Sequence, residues 1–333
     1  MPKISVIIPV YNVARYIERC ARSLFEQTLD DIEYLFINDC SPDNSITIIK
    51  NIMIEYPHRI SQTRVLSMRS NQGVATVRKY GMLEATGDYI IHCDGDDWVD
   101  IALYESLYNK AVKEHADIVI CDEIIEYQNN SQVCEIKDLP NNGHKIISNW
   151  YRNTIGLHLH NKLIKRTLYV TNEIYPWEGL NMWEDNGLMF RLLYYGKKIS
   201  QIHNNVFYHY NKTNINAITI GYGLDHVEQM ISIAQNLTLF FNNKPEAQHF
   251  ANTIKAFQFL AKINLITDSF QNLKRYNETF IGSEYIMPYL DKSAFSLKGR
   301  LRFIMVKYNL SFVFIVLYKI YSYFSIIINH KSK

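Results

Sequence analysis

The chain has 333 residues, 35 Lys+Arg against 33 Asp+Glu, a formal net charge of +2 and 47% apolar residues. That length supports one large domain or two smaller ones, each with a sizeable core. The near-neutral balance excludes an electrostatic nucleic-acid binder as the default class, and an aromatic content of 13% excludes a disordered chain. The five cysteines (Cys20, Cys40, Cys93, Cys121 and Cys134) are odd in number and form no CxxC pair. This argues against a disulfide framework and fits a reducing cytosol. The opening MPKISVIIPVYN does not read as a signal peptide, because Pro9 interrupts its apolar run and no small-residue cleavage site follows.

Residues 4–10, ISVIIPV, are β-branched and continuously apolar, as in a strand buried on both faces of a parallel sheet. An amphipathic helix is predicted from about Val13 to Thr28, with Ile17, Cys20, Ala21, Leu24 and Phe25 on one side. IEYLFI (32–37) reads as a second strand, followed by a polar turn around Asp39 and a helix to about Tyr56. TRVLSM (63–68) is a third strand and Gly73 to Ala85 a third helix. DYIIHC (88–93) is a fourth strand, closed by Asp94-Gly95-Asp96-Asp97. Residues 101–115 read as helix and ADIVIC (116–121) as a fifth strand. This alternation implies a doubly wound, mostly parallel α/β sheet, which binds ligands at the carboxyl ends of its strands. The clusters at Asp39 and at Asp94–Asp97 fall at those ends. Residues 124–145 are polar and suggest a hairpin over the sheet; residues 146–222 mix short helices and strands; from about Leu224 the chain reads as helix almost to its end.

Several common ligand motifs are absent. No GxGxxG follows the first strand, and there is no GxxxxGK[ST], GxSxG or HExxH. The carboxylates at 94, 96 and 97 would repel one another without a cation or solvent between them. Hard oxygen donors suit Mg²⁺ or Mn²⁺, and Mg²⁺ joins one or two carboxylates to substrate phosphates, so a metal–diphosphate site is one reading. A solvated acidic turn capping a helix near Asp100 is the other. Asp39 admits two readings as well: a turn or N-cap residue before a helix at Asn44, or a carboxylate accepting a base N–H. Arg78 could neutralise phosphate charge or be a surface arginine.

Together, PVYN (9–12), INDCSPDNS (37–45), NQGVATVRKYG (71–81), GDYIIHCDGDDW (87–98) and WEDNGLMFRLL (183–193) resemble the family 2 glycosyltransferases of the GT-A fold. The resemblance is dense over residues 1–125, thinner over 150–215 and absent from the C-terminal third. It implies an inverting, nucleotide-sugar-dependent transferase using Mg²⁺ or Mn²⁺. It also implies a GT-A domain over 1–222, with a donor half (1–125) and an acceptor half (126–222), followed by a helical C-terminal region over 223–333. By residue, it implies donor contacts at Pro9, Tyr11, Asn12, Asp39, Arg78, Asp94 and Asp96. Asp39 would hold a uracil base, Asp96 and Asp94 the metal, and His209 would be an additional metal-ligand candidate, with a satisfied structural histidine as the favoured reading. Glu184 would lie on the acceptor side and Asp185 would be the catalytic base. Asn161-Lys162-Leu163 matches the stretch that precedes this acidic pair. The chain departs from the family at Asn38-Asp39-Cys40-Ser41, where Asp-Asp-Gly-Ser is frequent, and at Val77-Arg78-Lys79, where Ala-Arg-Asn is frequent. The second departure puts an asparagine contact in doubt but not the arginine.

Processive synthases of this family carry QxxRW and several transmembrane helices; neither is read here, so transfer of one sugar per encounter is expected. Two alternatives remain open at this point: a sugar-phosphate nucleotidyltransferase, and a catalytically inactive nucleotide-sugar-binding scaffold. Residues 298–333 combine an apolar, aromatic body with Lys298, Arg300, Arg302, Lys307, Lys319, Lys331 and Lys333. Lys319 argues against a full span and for a helix lying in a membrane interface. The expectation is a cytoplasmic enzyme, peripheral at the inner face of the membrane and acting on a glycan or lipid-linked acceptor. The competing reading is a helix packed on its own domain or across a homodimer.

Overall fold

The computed structural model describes residues 2–136, 138–152, 156–203, 207–215, 217, 223–267, 269–290, 297–308, 310, 312–313 and 315–316. Eleven strands are described: β1 (Ile4–Val10), β2 (Ile32–Asn38), β3 (Thr63–Ser67), β4 (Tyr89–His92), β5 (Trp98–Val99), β6 (Ile118–Cys121), β7 (Glu123–Glu126), β8 (Ser131–Cys134), β9 (Lys162–Lys165), β10 (Ile199–Ile202) and β11 (Tyr208–Asn211). The helices are α1 (Ile17–Phe25), α2 (Ser45–Glu55), α3 (Val74–Glu84), α4 (Leu103–Glu114), α5 (Gly143–Asn149), α6 (Arg166–Asn172), α7 (Glu184–Tyr195), α8 (Leu224–Asn242), α9 (Ala247–Lys262), α10 (Phe270–Glu278) and α11 (Leu297–Lys307).

Seven strands form the main sheet in the order β10-β6-β9-β4-β1-β2-β3. β1 to β4 pair in parallel, as do β6 and β10, and β9 runs antiparallel between β4 and β6. The apolar runs of β1, β2, β4 and β6 are buried on both faces, as a doubly covered sheet requires. One face packs Val6, Ile8, Phe36 and Ile91 against Leu24 and Phe25 of α1, Ile49 of α2 and Tyr104 of α4. On the other face α3 lies close to the strands at Gly81, where a Cβ would stand 2.5 Å from Ile7 and 2.6 Å from Ile37.

A smaller sheet, β5-β11-β7-β8, includes an antiparallel β7–β8 hairpin within the polar stretch predicted to form one. The helix expected near Asp100 begins at Leu103. The chain divides into two compact units: residues 1–147 with 156–221, and residues 148–155 with 222–333. The second is helical and packs Phe241 on Phe250 and Phe259 on Phe303. Lys262 is fully buried there and pairs with Glu284. Among the described residues, no helix is long and apolar enough to cross a membrane. Lys319, Lys331 and Lys333 lie outside the described residues.

Candidate active site

β4 ends at His92, and the chain turns at once through Asp94-Gly95-Asp96-Asp97. The three carboxylates have different surroundings. Asp97 is fully buried, and both of its oxygens are satisfied: Tyr208 donates its hydroxyl at 2.5 Å and the Asn211 amide donates at 2.8 Å. Burial and the neighbouring Asp96 and Asp94 push its pKa well up. Asp97 is therefore a structural acid that ties the turn to β11. Asp96 accepts from Asn214 Nδ2 at 2.7 Å through Oδ2, and burial with the nearby Asp94 charge raises its pKa. Asp94 accepts from Arg78 at 2.6 Å through Oδ1. Among the described residues, no other residue donates to Asp94 Oδ2 or Asp96 Oδ1. Two hard oxygens on neighbouring carboxylates are a donor set that fits a divalent cation.

Arg78 joins this turn to α7. Its Nη1 donates to Glu184 at 2.6 Å while its Nη2 holds Asp94. The guanidinium is buried, a placement that requires both carboxylates to offset the loss of hydration. Burial would lower its pKa, but Asp94 and Glu184 more than reverse that and raise it. Glu184 and Asp185 occupy the first turn of α7, where acidic groups are favoured by the helix dipole. Burial raises Glu184, and Arg78 pulls it back. Burial would raise Asp185 too, but the nearby His158 and Arg78 bring it below the ordinary aspartate value. Asp185 Oδ1 accepts from the amide and the side chain of Asn186 at 2.7 and 2.8 Å, and Oδ2 faces His158 Nδ1 at 3.5 Å.

The expected base-binding residues cluster at the ends of β1 and β2. Tyr11 is exposed, and Asn12 adopts φ 55° with its amide donating to Ser41 Oγ at 2.8 Å. Pro9 sits in β1, beside Ile37 of β2. Asp39 does not cap α2. Its carboxylate accepts from the amides of Gln72 (2.7 Å) and Gly73 (2.9 Å), so it anchors the entry to α3, the helix that carries Arg78. Asp43, not Asp39, accepts from Ser45 at the start of α2, and its other oxygen holds the Ala14 amide. Each Asp39 oxygen keeps a second lone pair in spite of the residue's burial.

His209 is not brought to the Asp94–Asp96 turn. Strand alternation in β11 sends it opposite to Tyr208, and its ring stacks on Trp98. Its nitrogens pair with Glu126 (2.8 Å) and Asp100 (3.1 Å). A different histidine approaches the turn. Asp94, Asp97 and His160 place one potential ligand atom each within 4.8 Å of one another. In that group Asp97 is already satisfied twice, and His160 Nε2 is held by Glu123 at 2.7 Å. Glu123, Tyr208, Asn211 and Asn214 were not singled out from the sequence. The period-two spacing of YHYN is the signal that would place Tyr208 and Tyr210 on one face.

A mostly parallel α/β sheet with a paired-acid turn after its fourth strand defines the GT-A class of fold. A solved structure of S. aureus TarS (residues 1–349) in complex with UDP-GlcNAc superposes with a TM-score of 0.67 at 19% identity, over 86% of this chain and 84% of that one. The profile of Glycosyl transferase family 2 matches residues 5–171. The chain belongs to that family and is a glycosyltransferase. Among its relatives in Bacillus subtilis, EpsJ is 40% identical over 121 residues, 36% of this chain and 34% of EpsJ. EpsH is 26% identical over 264 residues, 77% of this chain and 74% of EpsH.

Proposed function

We propose that the chain transfers a single sugar, with inversion, from a UDP-sugar to a hydroxyl of a glycan or lipid-linked acceptor in cell-surface polysaccharide synthesis. The observation that carries this reading is Arg78, one buried guanidinium bonded at once to Asp94 and to Glu184. It couples the donor-side acids to the α7 start, where Asp185 stands. The UDP-GlcNAc in the TarS structure supports a UDP-sugar donor. Retention of Asp39, Asp94, Asp96, Arg78 and Asp185 together disfavours an inactive scaffold, and the lack of a Gly/Arg-rich phosphate loop disfavours a nucleotidyltransferase.

In the reaction the acceptor oxygen attacks the anomeric carbon as its proton passes to Asp185 Oδ2, and the C–O bond to the diphosphate breaks with its electron pair leaving on UDP. Arg78 supplies fixed positive charge beside the departing diphosphate. Asp94 Oδ2 and Asp96 Oδ1 would hold Mg²⁺ or Mn²⁺, which when bound stabilises diphosphate charge. Pro9, Tyr11, Asn12 and Asp39 form the base end of the donor half (1–125), and Glu184 belongs to the acceptor half (126–222). In the helical region 223–333, Leu301, Ile304, Tyr308, Leu310, Phe312 and Val313 are exposed near Arg300 and Lys307. These side chains support contact with an anionic membrane surface and hence a peripheral enzyme at the inner face.

Replacing Asp185 with Asn tests the reading. Turnover should fall by roughly 10²-fold or more, the scale of a lost general base, with UDP affinity by calorimetry unchanged. Intact turnover with collapsed UDP affinity would move Asp185 to the donor site and overturn the assignment.

A further inference from the structure

Asp185 leaves only one oxygen for chemistry. Oδ1 is fixed by two bonds from Asn186, and Oδ2 faces the Nδ1 of His158 at 3.5 Å. Arg78, whose charge also acts on Asp185, is bonded to Asp94 and Glu184. His158 is half-exposed, while Asp185 is largely covered. The imidazole therefore stands between the carboxylate and solvent.

The position of His158 is built in. The fully buried Lys162 ammonium donates to the His158 carbonyl at 2.6 Å and to Asn161 Oδ1 at 2.6 Å. Asn161 Nδ2 in turn donates to the Cys121 carbonyl in β6 at 3.1 Å. The His158 ring stacks on His160 at 5.1 Å and 9°, and His160 stacks on Tyr208 at 4.3 Å. The backbone carbonyl and one ring face are thus both held.

We propose that His158 is the positioning and proton-accepting partner of Asp185, an inference that rests on Asp185 being the base. After transfer, the Asp185 Oδ2–H bond breaks and a His158 Nδ1–H bond forms. The imidazolium then loses a proton to water from its exposed side, so the carboxylate is restored without opening the acceptor site. A 3.5 Å separation in the free protein is of the kind that tightens when substrate binds.

The other charged or titratable groups around the pair are Arg78 from α3 and Glu184 in α7, Glu123 from β7, Lys162 from β9, Tyr210 from β11, and His160. Glu123 is held by His160, and Lys162 donates to carbonyl oxygens.

The test follows UDP release from UDP-glucose, UDP-galactose and UDP-N-acetylglucosamine with Mn²⁺, water serving as acceptor, across pH 5 to 9. His158→Phe keeps a flat ring on His160 but has no nitrogen. It should lose roughly 10- to 100-fold in kcat with unchanged UDP affinity. His158→Ala should be rescued by added imidazole in a saturable way. Full turnover in His158→Phe overturns the proposal. So does a loss of rate without imidazole rescue in His158→Ala, which marks a packing role. Asp185→Asn is run beside them. If it keeps full activity, or if the wild type releases UDP from none of the three donors, the underlying reading fails. If Asp185→Asn is inactive while His158→Phe is not, the relay alone fails.

Discussion

Lys162 carries a buried ammonium group that, among the described residues, meets carbonyl oxygens and no carboxylate in salt-bridge range. Burial lowers its pKa from 10.5 to about 8. The unfolded chain therefore binds more protons than the folded one between about pH 8 and 10.5, so this residue makes stability rise with pH across that window. The depression corresponds to roughly 3 kcal/mol. Urea unfolding at pH 8 and pH 10 should show this gain in the wild type and not in Lys162→Met; identical pH slopes would contradict it. Asp39 makes a second prediction. With a lone pair on each oxygen left for a ring N–H, UDP should bind at least about ten times more tightly than CDP or ADP by calorimetry. Equal affinities would confine Asp39 to anchoring the 72–73 turn. Among residues, Asp94, Asp96, Arg78 and the Glu184-Asp185 pair could be singled out from sequence because each lies in a short local motif. The Glu123–His160–His158 array could not, because its members come from segments separated by dozens of residues and meet only through strand pairing. His209 could have been separated from that array by strand alternation, since it is flanked by Tyr208 and Tyr210, which face the other way.

At the scale of elements, the strands with continuous apolar runs were legible, including the four-residue β4 and β6, whereas β9 was not. β1 and β2 are seven residues each and read directly. β9 is four residues, KLIK, too short to show a period, yet it inserts antiparallel between β4 and β6. That insertion brings His160 beside the acidic turn and His158 beside Asp185. The α3 entry was placed correctly within a residue, but its anchoring was not foreseen. Gly73 has φ 81° and ψ 161°, and a Cβ there would stand 2.3 Å from Asn181 Nδ2. Asn181 itself accepts from the Ala75 amide at 3.0 Å. Gly73→Ala should therefore cost about 1–3 kcal/mol from backbone strain and from displacing Asn181. Thermal unfolding should show a lowered midpoint, and an unchanged midpoint would contradict this account of the turn.

For the whole molecule, the alternation of strands and helices was enough to predict a doubly wound sheet, whereas strand order and the second sheet depend on long-range pairing that no local pattern encodes. The membrane reading belongs to this scale. Basic residues near an anionic leaflet contribute on the order of 1 kcal/mol each, in addition to apolar burial. Full-length protein should float with anionic liposomes, and a chain truncated before Lys298 should not, with the difference shrinking at high salt. Equal behaviour of the two would favour packing of this region on protein. The central claim, a metal-assisted UDP-sugar transferase, is tested most directly by UDP release from the three UDP-sugars with Mn²⁺, with EDTA, and in Asp96→Ala. The account predicts release from at least one donor with Mn²⁺, and its loss both in EDTA and in a folded Asp96→Ala. Undiminished release by Asp96→Ala in EDTA, or none by the wild type from any of the three donors, would contradict it.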